Sequence, residues 1–322
     1  MPLMTLKVDV DTYRGTREGV PALVRMLLGA HADATFLFSL GPDHTGWALR
    51  RLLRPGFLQK VSRTSVVEHY GLKTLLYGVL LPAPDIGHGC ADEMRSVRDA
   101  GFECGIHAWD HVVWHDNARH EDAGWTTKMM QRAYERFSTI FGVRPSTHGA
   151  AGWQMNPHAF RELDAFGFAY ASDGRACLNH DGTLYDPAAG PYRIGHGESA
   201  MACIQMPTTL PTIDELLGQV IDGRVIDTDS IVATILGLTA IPRDHVFTLH
   251  AELEGQKFAP IFQRLLSGWK SQGYEMASMA TYYAKLDRES LPVAEICWGA
   301  IPGRSGEVIL QPKHPVILTA EA

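Results

Sequence analysis

Cysteine is scarce in this chain. There are five in 322 residues (Cys90, Cys104, Cys177, Cys203 and Cys297), odd in number, widely scattered and without a C-x-x-C pair. That excludes a disulfide framework and a structural zinc cluster, and it suits a reducing compartment. Basic residues are also short: the formal net charge is −7, which argues against a nucleic-acid partner. No uncharged apolar run reaches the about 18 residues that a spanning helix needs. The N-terminus enters a strand pattern directly, with no charged-then-apolar leader. The expectation is a cytoplasmic, non-secreted protein. No glycine-rich phosphate loop follows any strand-like stretch, which disfavours a nucleotide cofactor.

What is present is an ordinary apolar fraction of 45%, enough for one large domain or one domain with appendages. Strand-like and helix-like stretches alternate. Strands are expected at Leu3–Val10, Ala34–Ser39, Phe102–Ile106, near Ser146–Ala150, Phe168–Ser172, Ala202–Met206, His245–Leu249 and Tyr274–Ala277. Helices are expected near Arg17–Ala30 and at Ala91–Ala100, Thr126–Ile140, Asn156–Phe166, Ile213–Ile221, Asp229–Leu238, Lys257–Gln272 and Met279–Leu286. Such alternation is the signature of parallel βαβ units. Polar residues recur where strands stop: Asp9, Asp11, His107, Asp173 and His250. A parallel barrel gathers those ends on one face, and an open doubly wound sheet gathers them in one crevice. The barrel proper is assigned to 1–290. The Pro- and Gly-punctuated remainder, 291–322, is expected to pack over it.

Residues 41–88 interrupt the rhythm. They carry Trp47, Leu49, Leu52, Phe57, Leu75, Leu80 and Leu81 among Arg50, Arg51, Arg54, Lys60, Arg63 and Lys73, with few acids. A basic, amphipathic insertion in an acidic protein suits the surface of an anionic membrane. A helical subdomain packed on the barrel or on a second subunit has the same composition.

The first strand stops at Asp9-Val10-Asp11-Thr12. In a strand, residues i and i+2 share a face and lie roughly 6–7 Å apart, so both carboxylates point one way. They repel unless a cation or a proton intervenes. His107-Ala108-Trp109-Asp110-His111, if helical, sets two imidazoles on one face. Asp11, His107 and His111 are then three ligands for one divalent ion (zinc, cobalt, manganese or iron), with a position left open for water. Singly these residues have plainer uses: a strand-end Asp often caps a helix, and His111 alone reads as a surface residue. With the ion bound, Asp9 is the candidate base and His250 the candidate acid, a set suited to hydrolysis of an amide or ester. Asp173 either orients His250 or caps a turn before Gly174.

The Asp-x-Asp, the His107-x-x-x-His111 pair and Leu249-His250 resemble the polysaccharide deacetylase family (carbohydrate esterase family 4, NodB-homology). Longer stretches extend the likeness: Val8–Pro21, Phe38–Asp43, Ile86–His88, Gly105–His111, Ala150–Trp153, Thr248–Gly255 and the Gly-Arg-x-Gly at Gly303–Gly306. These are similar to the branch of that family that deformylates a lipid-linked formamido-arabinose. The resemblance implies a distorted (β/α)7–8 barrel carrying the basic amphipathic insertion. It implies Asp9 as base, Asp11, His107 and His111 as metal ligands, and His250 as general acid. The implied substrate is 4-deoxy-4-formamido-L-arabinose on undecaprenyl phosphate, giving the amine and formate for lipid A modification and polymyxin resistance. It places the chain on the inner face of the cytoplasmic membrane, meeting anionic lipids through 41–88. The insertion or Arg14 would meet the substrate phosphate, and Thr12 is counted with Arg14 among the supporting residues.

Two departures stand out. The wider family has Arg-x-Pro at its third motif, whereas this chain has Gly149-Ala-Ala-Gly-Trp153, which leaves Arg175 as the substitute for the missing arginine. The backbone N–H groups of Gly152 or Trp153 are candidate oxyanion donors, with barrel-mouth packing as the other use of Trp153. The rival enzyme is a metal-dependent deacetylase of another N-acetyl sugar or small amide. A glycosyltransferase using Asp9-Val10-Asp11 leaves His107, His111 and His250 without a role.

Overall fold

Every residue of the first strand, β1 (Leu3–Val10), is buried, and the strand pairs with neighbours on both sides. In the computed structural model, residues 1–48, 73–176, 189–196, 199–221, 223–304 and 306–311 are described. One face of β1 is an apolar alternation, and the other buries Leu3 with the polar Thr5, Lys7 and Asp9. Met4, Leu6, Val8 and Val10 join the main core beneath the helices, and Leu3 joins a second cluster with Tyr170, Ile204 and Val246. A strand with both faces covered belongs at the centre of a parallel sheet.

The other strands follow in chain order: β2 (Thr35–Ser39), β3 (Glu103–Ala108), β4 (Thr147–His148), β5 (Tyr170–Ala171), β6 (Tyr192–His196) and β7 (Ser199–Gln205). A small hairpin, β8 (Val220–Ile221) with β9 (Arg224–Val225), precedes β10 (His245–His250) and β11 (Glu275–Ala277). Three short strands end the series, β12 (Val293–Ala294), β13 (Cys297–Gly299) and β14 (Val308–Leu310). The main sheet runs β10-β1-β2-β3-β4-β5-β7-β6-β12, with β11 beside β1. It is parallel except between β6 and β7. The sheet curls on itself: Leu3 of β1 meets Tyr170 of β5 and Ile204 of β7 in one interior cluster. The gap beyond β10 is closed by backbone without regular strand form, where Thr209 and Leu210 donate to the Val246 carbonyl. This is the distorted barrel.

The helices lie outside: α1 (Val20–Gly29), α2 (Ile86–Gly89), α3 (Ala91–Asp99), α4 (His111–Asn117), α5 (Ala123–Phe141), α6 (Pro157–Phe166), α7 (Ile213–Leu216), α8 (Ile231–Leu238), α9 (Ala259–Ser271) and α10 (Met279–Lys285). Local sequence explains several ends. Pro21 sits at the start of α1 and Pro157 at the start of α6, where a missing N–H costs least. Asn156 caps α6, and Gly142 and Gly167 close α5 and α6 in the left-handed conformation. Among the described residues, no helix is long and apolar enough to cross a membrane.

Two expectations are corrected, and one strand is added. The stretch Ile213–Ile221 is not one helix: α7 stops at Leu216, Gly218 turns at φ +77°, and Val220–Ile221 enters the hairpin. His107 and His111 do not share a helix, because His107 lies in β3 and Asp110 caps α4 by accepting from the Val113 N–H. The strand β6 was not foreseen; it runs antiparallel to β7 at the far side of the sheet. Of the insertion, 49–72 lie outside the described residues, as do Cys177 and 312–322. In its described part, Leu75 and Tyr77 are buried, whereas Val79, Leu80 and Leu81 are exposed at 52%, 77% and 36%.

Candidate metal centre and active site

The site forms where β1, β3 and β10 stop. Asp9 and His250 are direct partners in the parallel register of β1 and β10. Their side chains therefore leave adjacent strands at one level. Asp11 follows one step beyond the sheet. His107 arrives through an irregularity: Phe38 pairs with Ile106 and Ser39 with Ala108, so His107 is the extra residue on β3. A bulge of this kind re-aims a side chain. His111 is the first residue of α4, held by the Asp110 cap, and the other carboxylate oxygen of Asp110 lies 2.5 Å from His44 Nδ1.

Ligating atoms of Asp11, His107 and His111 all lie within 4.8 Å of one another. His107 gives its Nδ1 proton to the Gly149 carbonyl at 2.6 Å. Its Nε2 then presents a lone pair to Asp11 Oδ1, 3.2 Å away, and that buried oxygen has no hydrogen-bond partner. Two acceptors facing each other across that distance are relieved by a shared cation, and a carbonyl behind the histidine is the usual support of a ligating imidazole. His111 Nε2 lies 3.4 Å from Asp11 Oδ2. The donor set fits a divalent ion. Burial raises the Asp11 carboxyl, but His111, His107 and His250 together outweigh it and hold it far below the usual carboxylate range.

The other candidates divide. Asp9 is 2% exposed; its Oδ2 pairs with Lys7 Nζ at 2.9 Å, and its Oδ1 has no hydrogen-bond partner. His250 Nδ1 is likewise buried without a partner, and its backbone N–H donates to Glu254 at 2.7 Å. Burial pulls the His250 pKa down, but the carboxylates of Asp214, Asp11, Glu254 and Asp9 outweigh it and leave the pKa raised. Thr12 is used structurally: its N–H and hydroxyl both donate to Glu252, and its hydroxyl accepts from the Gly15 N–H. Arg14 reaches along its own helical turn to Glu18 at 2.8 Å.

Three supporting assignments need correction. Asp173 does not orient His250; its carboxylate takes His148 Nδ1 at 2.6 Å, the Ala150 N–H at 2.8 Å and Gln205 Nε2 at 2.9 Å. It thereby fixes the loop that carries Gly149, the acceptor behind His107. Arg175 does not support Asp9; it forms a two-pronged pair with Glu215 at 2.6 and 3.0 Å. The Trp153 N–H is not an oxyanion donor, because it is spent on the Ala150 carbonyl. The Trp153 side chain packs against Ile301, Val308 and Leu310 of the C-terminal segment, among Arg175, Arg304 and Lys7. Gly152 stands at φ +62°, where a Cβ would lie 2.0 Å from the His115 ring, so any side chain there would push against α4. No bond to a substrate-facing group follows from its position.

Sequence reasoning missed four participants. Lys7 was visible as a lysine in a mostly apolar strand, two residues before Asp9 and so on its face. Glu252 is buried and accepts from the N–H groups of Asp11 and Thr12 and from the Thr12 hydroxyl, tying the β1 end to the β10 end. Burial and the nearby Asp11 charge push its carboxyl up. Glu254 is also buried, and that burial pushes it up to about 7. Asp214, on α7, leaves no local sign in the sequence of its influence on His250.

No protein-family model matches the chain. A curated protein of Shewanella sediminis, named a probable 4-deoxy-4-formamido-L-arabinose-phosphoundecaprenol deformylase ArnD, is 35% identical over 303 residues, covering 94% of this chain and 92% of that protein. A protein of the same name from Wigglesworthia glossinidia brevipalpis is 30% identical over 300 residues, covering 93% of this chain and 99% of the other. Among solved structures, a candidate polysaccharide deacetylase from Mycobacterium smegmatis aligns with TM-score 0.59 at 15% identity, covering 94% of this chain and 96% of that one. A probable polysaccharide deacetylase from Pseudomonas aeruginosa PAO1 aligns with TM-score 0.52 at 14% identity, covering 87% and 90%. These two structural likenesses speak to the fold.

Proposed function

The chain belongs to the family of 4-deoxy-4-formamido-L-arabinose-phosphoundecaprenol deformylases, and from that premise we propose that it is a metal-dependent amidohydrolase that removes the N-formyl group from this lipid-linked sugar. The observation that carries the reaction is the register of Asp9 and His250 on adjacent strands, beside Asp11, His107 and His111. A base, an acid and a cation site gathered at adjacent strand ends meet the requirements of amide hydrolysis. The identities of the sugar, the formyl group and the carrier rest on the two relatives.

When bound by Asp11, His107 and His111, a divalent ion would supply a Lewis acid that polarises the formamide carbonyl and acidifies water. Zinc, cobalt, manganese and iron all suit this donor set. Asp9 accepts the proton of the attacking water at Oδ1, the oxygen that Lys7 leaves open. The carbon–nitrogen bond breaks, and His250 delivers a proton to the departing nitrogen. The carboxylates of Asp214 and Glu254 favour the protonated ring. The products are formate, which is released, and the free 4-amino sugar on its carrier, which goes on to lipid A modification and polymyxin resistance.

The substrate's polyprenyl chain stays in the bilayer, so the enzyme works at the inner face of the cytoplasmic membrane. The exposed turn Val79-Leu80-Leu81 supports this reading. Gly78, at its start, packs against His44 and Trp47, and His44 pairs with the residue that caps α4. Exposed apolar side chains in a segment whose sequence is rich in Arg and Lys suit an anionic membrane.

The test is mass spectrometry of the formamido-arabinose phosphopolyprenol incubated with protein and Mn²⁺, Co²⁺ or Zn²⁺, with Asp9→Asn run alongside. The expected result is a metal-dependent mass loss equal to CO, cut to a small residual rate in the variant. Turnover of an N-acetyl sugar with no turnover of the formyl lipid would overturn the substrate and keep the reaction class.

A further inference from the structure

We propose that Lys7 is the positioning residue of the catalytic base, acting on the substrate only through Asp9. Lys7 is in the middle of β1 with its side chain wholly buried. Its ammonium lies 2.9 Å from Asp9 Oδ2, and no other carboxylate pairs with it among the described residues. A buried ammonium is costly unless it is paired, and an apolar side chain of similar volume fills such a position at least as well. Packing alone therefore gives no reason for a charge here, whereas the single pairing with Asp9 does.

The geometry also says what the pairing achieves. Asp9 and Lys7 share one face of one strand, so the contact needs no long-range adjustment. With Oδ2 held, the carboxylate cannot rotate, and Oδ1 stays free of hydrogen bonds on the side of His107, 3.8 Å from its Nδ1. The lysine stem is confined in turn. Its Cε would lie 2.8 Å from a Cβ on Gly149, so only glycine gives it room, and Gly149 is the residue whose carbonyl orients His107. Its ammonium is 5.0 Å from the centre of the Trp153 ring. One lysine thus holds the base while resting on the loop that orients a metal ligand. The neighbouring cations Arg175 and Arg304 are committed to Glu215 and leave this task to Lys7.

This inference rests on Asp9 being the base, and the test separates the two claims. Lys7→Met keeps the length and removes the charge; Lys7→Arg keeps the charge. The expected result for Lys7→Met is a fall in kcat of about 10–100-fold, the usual effect of losing a supporting partner, with KM and bound metal unchanged. Lys7→Arg should recover most of the rate. In the Asp9→Asn background, adding Lys7→Met should lower the residual rate no further. That double variant buries neither charge, so it folds and stays informative even where Lys7→Met alone does not. Wild-type kcat in Lys7→Met, lost metal or an additive fall in the double variant would each overturn the Lys7 proposal. Full activity in Asp9→Asn would instead overturn the assignment of the base.

Discussion

Protonation of His245 should set part of the acid limit of stability. His245 opens β10 at the end opposite His250, 1% exposed, with its ring near Tyr274 and its Nδ1 3.2 Å from the Thr209 hydroxyl. Burial, helped by the Arg243 charge, lowers its pKa from 6.5 to about 3. The unfolded chain therefore binds a proton that the folded chain refuses between those values. The sign follows: this stability is fully present above 6.5 and is lost as the pH falls towards 3. At pH 5 the unfolded state gains about 1.5 pKa units of protonation, or about 2 kcal/mol, over neutral pH. The assay is urea unfolding followed by far-UV circular dichroism at pH 7.5 and pH 5. With a slope of about 3 kcal/mol/M, the wild-type midpoint should fall by about 0.7 M from this group alone. His245→Gln retains hydrogen bonding and removes the titration, so its midpoint should be less pH-dependent by that amount. Equal pH dependence in the two proteins would refute the reasoning.

Three other outcomes follow from the same geometry. His107→Ala should purify folded but without bound metal, read by inductively coupled plasma mass spectrometry; unchanged metal content would dissolve the proposed centre. Glu215→Gln should cost about 3–5 kcal/mol, since it leaves buried Arg175 and part-buried Arg304 without their shared carboxylate, and calorimetry should show a Tm lowered by roughly 6–10 °C. Leu80→Ser should weaken binding to anionic liposomes about tenfold, the value of burying one leucine, while turnover of a short-chain soluble substrate stays at the wild-type level.

The frame of this fold was legible because its strands end in chemistry. Asp9, His107 and His250 each follow an apolar run, and the parallel barrel that such runs imply brings those ends together. Local breakers were harder to weigh. Gly218 turns a stretch that reads as helix, Ile213–Ile221, into a short α7 and a hairpin strand. The supporting shell was mostly illegible for a physical reason: its contacts join distant parts of the chain. Glu252 reaches Thr12 across 240 positions, and His148 finds Asp173 across 25. No periodicity or local spacing encodes such a meeting; only the closed sheet does. Arg175 shows the cost of reasoning from type alone, since an arginine near the site was assigned to the wrong carboxylate.

The same contacts explain why the C-terminal segment belongs with the site's supports. Ile309 accepts from the Arg175 N–H, the Gln311 N–H donates to the Arg175 carbonyl, and Arg304 meets Glu215 at 3.0 Å. Gly303 is required where it stands, at φ +82°, because a Cβ there would lie 2.1 Å from the Glu215 carbonyl. Glu215 and Asp214 are consecutive on α7, so the turn at Gly303 presses on the helix whose next carboxylate raises the His250 pKa. Burial pushes the Glu215 carboxyl up, and Arg175 and Arg304 outweigh that and hold it down, so the lock persists at neutral pH and opens only in acid. A segment that begins after the last barrel helix thus bears on His250, the proposed acid, while β1, at the other end of the chain, carries Asp9, the proposed base.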